Sequence, residues 1–251
     1  MSAALALGGR ALREAARSPD AMIPTLFIPI FFLVVNTGQA ADIFPSASTD
    51  FLKGQGYGAF QLPTTLLLAA SFGTAALFLV EEIEGGYFDK LRATPIPRSA
   101  IVMGRLVAEV VKGLLIASVI VLLSLPFGIE IASGALGFVL LIGLTAMWGV
   151  VFTGFMQLIA LKTRSAAATN SGSLIFFPLL FLTPNFVPRD LLTEPMEVAA
   201  TLNPVTYLME ALRSLILDDL AWSEILPGFA VVAVMGAVML ALSVRVIENY
   251  D

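Results

Sequence analysis

EEIEGGYFDKLRATPIPR, residues 81–98, is the longest polar interruption in the first two-thirds of the chain, and Gly104-Arg105 closes it. Acidic residues come first, then a glycine pair, then basic residues and two prolines. Apolar segments long enough to cross a bilayer lie on both sides. The glycine pair allows the chain to turn before a helix, and the two prolines end that helix. The stretch therefore predicts a short surface helix, about residues 84–94, that a partner protein binds.

The composition of the whole chain is that of a membrane protein. Its 251 residues are 58% hydrophobic and only 13% charged, with a mean hydropathy of +0.90. Soluble domains are about half apolar and a quarter charged. The net charge of −5 gives no sign of nucleic-acid binding, and the absence of Cys and His removes disulfides, thiol chemistry and the commonest zinc ligands. We expect no catalytic residue, no metal site and no cofactor bound by this chain.

The hydrophobic pattern predicts an all-α polytopic membrane protein with six transmembrane helices. An N-terminal amphipathic helix (1–20) precedes a single transmembrane domain (21–251), although a basic lead-in to the first span would explain 1–20 equally well. The predicted spans are 21–37, 58–80, 106–128, 135–161, 166–183 and 225–245. Gly38-Gln39-Ala40 resembles a signal-peptide cleavage site. We favour an uncleaved first span.

Lysine and arginine residues indicate the orientation. With the N-terminus inside, ten of the 14 Lys and Arg residues fall on inner segments and three on outer ones. This positive-inside bias predicts that both termini and the 81–98 stretch are cytoplasmic. Glu109 and Lys112, in the third predicted span, are expected to pair near a membrane face.

Two absences bear on the energy source. Ion-coupled carriers usually carry ionisable groups at mid-membrane, and five of the six predicted spans have none except Arg245, the last residue of the sixth. The chain also lacks the G-x-x-x-x-G-K-[S/T] pattern of a P-loop. If ATP drives this protein, another polypeptide must bind it.

Two motifs resemble one known family. The first motif is Glu84-x-Gly86-x-x-Asp89-Lys90-Leu91-Arg92-Ala93-Thr94-Pro95-x-x-Arg98, followed by Gly104-Arg105. It is similar to the cytoplasmic loop of type-2 ABC exporter permeases, above all of daunorubicin-resistance-like drug or lipid exporters of bacteria. Before the last predicted span, the family's second motif is matched by Asn203-Pro204-Val205-Thr206-Tyr207 with Glu210 and Arg213. On a six-span layout, the two motifs cover nearly the whole chain.

The resemblance implies a half-transporter. Two permease copies would pair in the membrane, and each would dock one cytoplasmic ATPase that carries the ATP and Mg²⁺. The loop after the second span would be the coupling helix, assisted by the N-terminal helix. Two short re-entrant helices, about 191–217, would cap the exit. The implied coupling residues are Glu84, Gly86, Tyr87, Asp89, Leu91, Arg92, Pro95 and Arg98. The implied exit-side residues are Asn203, Pro204, Tyr207, Glu210 and Arg213.

Local chemistry gives some of these residues a structural alternative. Tyr87, Phe88 and Leu91 are apolar enough to form a docking knob, although an ordinary cytosolic loop would carry them too. Asn203 is expected to cap a helix that begins at Pro204. Arg213, in an apolar stretch, needs a partner such as Glu210 or must extend to the headgroups.

Four residues are candidates for a cargo path. The alternative role of Asn170 is an interhelical hydrogen bond, and the alternative role of the three phenylalanines is ordinary packing or contact with lipid. The candidates are Phe72, Asn170, Phe176 and Phe177.

The favoured function is the membrane subunit of an ATP-driven exporter, a homodimer in the bacterial plasma membrane that moves a drug-like compound, lipid or glycolipid outward. A membrane scaffold that recruits a cytosolic partner without transport is the alternative from another class. An ion-coupled carrier is a third possibility, opposed by the missing mid-span charges.

Overall fold

The computed structural model describes residues 3–17, 19–72 and 75–248, and these residues are helical with short connections. The α-helices are α1 (Ala3–Ala16), α2 (Pro19–Ala40), α3 (Tyr57–Ser71), α4 (Ala75–Glu84), α5 (Tyr87–Arg92), α6 (Arg98–Ser124), α7 (Gly134–Thr163), α8 (Ala166–Ser173), α9 (Phe176–Phe181), α10 (Glu194–Leu202), α11 (Pro204–Leu217) and α12 (Trp222–Glu248). Single 3₁₀ turns lie at Asp50–Leu52, Leu125–Phe127 and Arg189–Leu191.

Four helices in the described part of the chain, α2, α6, α7 and α12, are long and apolar enough to cross a membrane. The two other predicted spans are each divided. The 58–80 segment forms α3 and part of α4, with Phe72 at the end of α3. The 166–183 segment forms α8 and α9, because Pro178 has no N–H to donate to the carbonyl of Leu174. Helix length therefore supports four crossings.

The third predicted span begins earlier than the sequence suggests. Helix α6 starts at Arg98, directly after Pro97, instead of at 106. Glu109 is therefore about 16 Å along the helix axis. It is buried against Lys112, with 2.7 Å between Oε2 and Nζ, and it lies beside Gly149 in the middle of α7. The predicted pairing of Glu109 with Lys112 is confirmed, and its position near a membrane face stays a prediction.

Helix α3 is the centre of the bundle, and all of its residues are buried. It contributes Phe60 and Leu66 to the main apolar core, which α6, α7, α9, α11 and α12 complete. Helix α2 packs on α3 with one face only and leaves Phe27 and Phe31 exposed. In a bilayer, such a face contacts lipid or another membrane helix.

The bundle has two distinct ends. At the α5 end, a second apolar cluster joins α5 to α4, α6, α7 and α12. At the far end lie α10, α11 and the linker 182–193. The turn between α4 and α5 requires glycine at Gly86, whose φ is +69°. This turn positions α5 against the bundle, within the predicted range 84–94.

Candidate functional site

Glu82 is the centre of a buried charge cluster at the α5 end. Its carboxylate forms one ion pair with Arg10 of α1, at 2.7 Å, and a second with Arg105 of α6. Glu82 and Arg105 are each only 7% exposed. The guanidinium of Arg10 also lies over the ring of Tyr87, 4.0 Å from its centroid. These four residues, the Glu82 cluster, connect α1, α4, α5 and α6.

Two glycines bring α1 and α6 into close contact beside this cluster. A Cβ on Gly104 would lie 2.7 Å from the Cβ of Leu7, and a Cβ on Gly8 would lie 3.0 Å from the carbonyl oxygen of Gly104. Any larger residue would push the helices apart. The Gly104-Arg105 pair therefore combines a close helix contact with an ion pair, and α1 is fixed to the start of α6.

Helix α5 has one buried and one exposed face. Phe88 and Leu91 are 1% and 8% exposed and pack into the chain's own apolar cluster. Asp89 and Lys90 are exposed, and Tyr87 is partly so. Of the three residues assigned to an apolar docking knob, only Tyr87 is thus accessible in the structure. The face open to a partner is mainly polar.

The remaining residues of the first motif lie around α5. Glu84 and Pro95 are exposed. Arg98 is exposed too, and its guanidinium donates to the carbonyl oxygen of Glu248 at 2.7 Å, which joins the start of α6 to the end of α12. The side chain of Arg92 lies outside the described residues.

The second motif begins a helix at the far end. Asn203 is the N-cap of α11, its Oδ1 accepting from the N–H of Val205 at 3.0 Å, and Pro204 is the first helical residue. This local prediction is confirmed. The Asn203 amide also donates to the carbonyl oxygen of Leu179 at 2.5 Å. Tyr207 donates to the carbonyl oxygen of Thr201 at 3.0 Å, which joins α11 to α10.

Glu210 and Arg213 do not form the suggested pair with each other. Glu210 instead accepts two hydrogen bonds from Arg189, at 3.0 and 2.7 Å. Arg213 donates to the carbonyl oxygen of Pro184 at 2.9 Å and lies 3.6 Å from the ring centroid of Phe60. Because its side chain is buried, Arg213 does not extend to the headgroups either. The two residues hold the linker 182–193 at two points.

Uncharged polar groups hold the same linker to α3. The Gln61 amide donates to the hydroxyl of Tyr57 and to the carbonyl oxygen of Asn185, at 3.0 and 2.9 Å. Thr64 donates to the Asn185 side chain at 2.5 Å. A narrow cleft beside this network has apolar side chains at its other end. The residues that line it are Phe32, Asn36, Thr64, Leu68, Phe177, Leu180, Phe181 and Asn185.

The four cargo-path candidates fall into three places. Phe72 and Phe177 meet edge-on, 6.3 Å between ring centroids, and Phe177 lines the cleft. Phe176 is buried against Trp148, so it is a packing residue in this structure. Asn170 is exposed on α8 and does not line the cleft.

Sequence analysis did not identify Glu82 as the centre of a site. The available signal was a carboxylate at the end of an apolar segment, beside the matched motif. Arg10 and Arg105 lie 72 and 23 residues away along the chain. No local sequence pattern predicts that both arginines pair with Glu82, because this pairing depends on the contact between α1 and α6.

The helical bundle and its charged α5 end define a polytopic membrane protein with a surface helix built into its fold. The family model for the ABC-2 type transporter matches residues 3–217, and the chain belongs to that family of ABC transporter membrane subunits. A curated relative is the daunorubicin resistance ABC transporter permease protein DrrB1 of Streptomyces coeruleorubidus. It is 23% identical over 257 residues, covering 99% of this chain and 87% of the relative.

Proposed function

We propose that this chain is the permease subunit of an ATP-driven exporter that moves a hydrophobic or amphipathic cargo outward. A separate cytoplasmic ATPase binds ATP and Mg²⁺, and two permease copies pair, each with one ATPase. The family and the name of the drug-resistance relative support a transporter of this class. The sequence has no P-loop pattern, which supports ATP binding by a separate ATPase subunit.

The arrangement of α5 is the observation that carries the proposal. Its apolar face is anchored in the bundle, and its polar face, with Asp89 and Lys90, is exposed at the surface, where another protein can contact it. The Glu82 cluster connects α5 and α4 to α1 and α6. A displacement of α5 would therefore move these helices together, as expected where an ATPase transmits force.

Six crossings complete the proposed topology. Helix pairs α3–α4 and α8–α9 each cross as a broken helix, in addition to the four long helices. Broken helices are tolerated at membrane depth when protein surrounds them, as it surrounds α3. Helices α10 and α11 enter from the outer side and turn back. Both termini are cytoplasmic in the bacterial plasma membrane, in line with the positive-inside bias.

The cleft between α2, α3 and α9 is the proposed part of the cargo path. It is apolar at Phe177 and Leu68, and it ends in the uncharged polar groups of Asn36, Thr64 and Asn185. A neutral polar end beside aromatic rings matches an amphipathic molecule whose polar group forms hydrogen bonds. With only about 10 Å³ free in this structure, the cleft must widen before such a molecule enters. Asn170 and Phe176 stay outside this part of the path.

Reconstitution tests the proposal directly. The chain is co-purified with a candidate ATPase, sought among the neighbouring coding sequences, and ATP hydrolysis and cargo movement are measured in proteoliposomes. We expect hydrolysis that the cargo stimulates and outward movement that stops without ATP. A stable complex that binds ATP but moves none of a panel of amphipathic compounds would favour the scaffold alternative.

The Glu109–Lys112 pair gives the ion-coupled alternative one specific observation, because it lies in the middle of α6. Intramembrane charges often mark ion pathways, but this carboxylate is already neutralised by its neighbour. Transport with ATP held constant distinguishes the two mechanisms. An uncoupler leaves an ATP-driven exporter active and stops a proton-coupled carrier.

A further inference from the structure

An apolar groove of about 280 Å³ lies between α6, α7 and α12, toward the α5 end of the bundle. It is separate from the cleft between α2, α3 and α9, and it has no part in the proposed transport mechanism. All of the residues that line it are apolar: Met103, Leu106, Val107, Val110, Val150, Gly154, Gly236, Ala237, Met239 and Leu240.

Glycines form the floor of this groove. A Cβ on Gly154 would lie 3.1 Å from the Cβ of Met239, so α7 and α12 approach closely there. Gly236 has more room, since a Cβ would meet Val151 Cγ2 at 3.6 Å. The rims are Val110, which is 39% exposed, and Ala237, which is exposed as well. The groove therefore opens sideways, away from the centre of the bundle.

We propose that this groove binds one acyl chain of a phospholipid from the surrounding bilayer. Its three walls belong to helices long and apolar enough to cross the membrane, so its opening faces hydrocarbon. From residue 103 to residue 110 it extends about 10 Å along α6. A chain of methylene groups fits such a space.

A cation at the end of the groove supports a phospholipid as the occupant. Arg98 lies about 8 Å before Met103 along α6, and it binds the carbonyl oxygen of Glu248 at the end of α12. It thus lies at the junction of the two helices that form the rims. A basic residue about 8 Å beyond the groove along α6 is placed for the phosphate of a lipid whose chain enters the groove.

The test uses the full-length protein in nanodiscs made with a phosphatidylglycerol that carries a photoreactive diazirine in one acyl chain. Peptide mapping after illumination should locate the strongest labelling on residues 103–110 and 236–240. In Gly236→Leu the side chain fills the groove, and we expect labelling there to fall about tenfold, the effect of removing two buried methylenes. Gly143→Leu is the matched control, since Gly143 has open space and lies outside the groove.

Labelling of α2 peptides should be the same in all three proteins, which controls for folding. Equal labelling of the groove and α2 in the wild type, or groove labelling that survives in Gly236→Leu, would show ordinary annular lipid and overturn the proposal. Two other occupants would also overturn it. An Ala237→Cys disulfide dimer would assign the groove to a second copy, and protection by added daunorubicin would assign it to cargo.

Discussion

At the scale of single residues, the structure depends on charges that are buried with partners. Glu82 is shared by Arg10 and Arg105, and Glu109 is paired with Lys112. A buried charge that loses its partner is costly, even where the intact pair contributes little net stability. Each of these pairs therefore predicts an asymmetric response to mutation.

Replacing Glu82 with Gln should destabilise the protein by about 3 kcal/mol, because the buried guanidinium of Arg105 then loses its ion pair with the Glu82 carboxylate. Thermal unfolding in detergent measures this effect. Glu81→Gln is the matched control: its side chain is exposed, one position earlier, and its effect should stay within about 0.5 kcal/mol. Equal effects of the two substitutions would contradict the role given to the Glu82 cluster.

Glu109 and Lys112 should behave as a coupled unit. Glu109→Gln or Lys112→Met alone leaves one buried charge and should cost about 3 kcal/mol. The double variant removes both charges and should be more stable than either single variant. Unfolding of the four proteins in a double-mutant cycle measures the coupling. Additive effects would mean that the two charges are solvated separately.

At the scale of elements, α5 separates anchoring from docking. Phe88→Ala should destabilise the protein by about 3 kcal/mol, because it leaves a cavity in the second apolar cluster. Lys90→Ala should change stability by less than about 0.5 kcal/mol, since the side chain is exposed. In the proposed complex, the second variant should instead weaken binding of the ATPase, measured by co-purification. Normal ATPase binding by Lys90→Ala would remove this face from the docking surface.

The same elements show what the sequence could predict. The surface helix at 84–94, the break at Asn203-Pro204 and the long fourth span follow from local signals, namely glycine, proline, a capping side chain and apolar length. The division of the second span does not, because residues 58–80 carry no charge and their scattered polar residues, such as Gln61 and Thr64, do not mark one point of division. In a membrane protein, lipid-facing and buried helices have similar compositions, so the pattern does not identify α3 as the central helix.

Pairing between residues far apart in the chain also could not be predicted from the sequence. The sequence suggested Glu210 for Arg213, its neighbour on the same helix, whereas Arg189 from the preceding linker takes that carboxylate. Arg213 instead binds a backbone carbonyl and an aromatic ring of α3. Both outcomes depend on where the linker 182–193 crosses α11, and periodicity carries no information about that crossing.

At the scale of the whole molecule, the two ends of the bundle are joined through α3 and the long helices. The α5 end carries the Glu82 cluster, and the far end holds its linker by Arg189, Arg213 and the Gln61 network. This layout fits a transporter in which an ATPase displaces the α5 end and the exit at the far end then opens. The account therefore depends on α5 facing the cytosol and touching the ATPase.

Single-cysteine crosslinking tests that claim most directly, because the natural chain has no cysteine to remove. Lys90→Cys on α5 is compared with Lys53→Cys in the loop between α2 and α3, both exposed lysines. Although loss of the lysine weakens the complex, we expect a thiol crosslinker to trap the ATPase on Lys90→Cys, and Lys90→Cys to resist a membrane-impermeant thiol reagent in intact cells. Lys53→Cys should react with that reagent and should not crosslink. Labelling of Lys90→Cys from outside the cell would contradict the account.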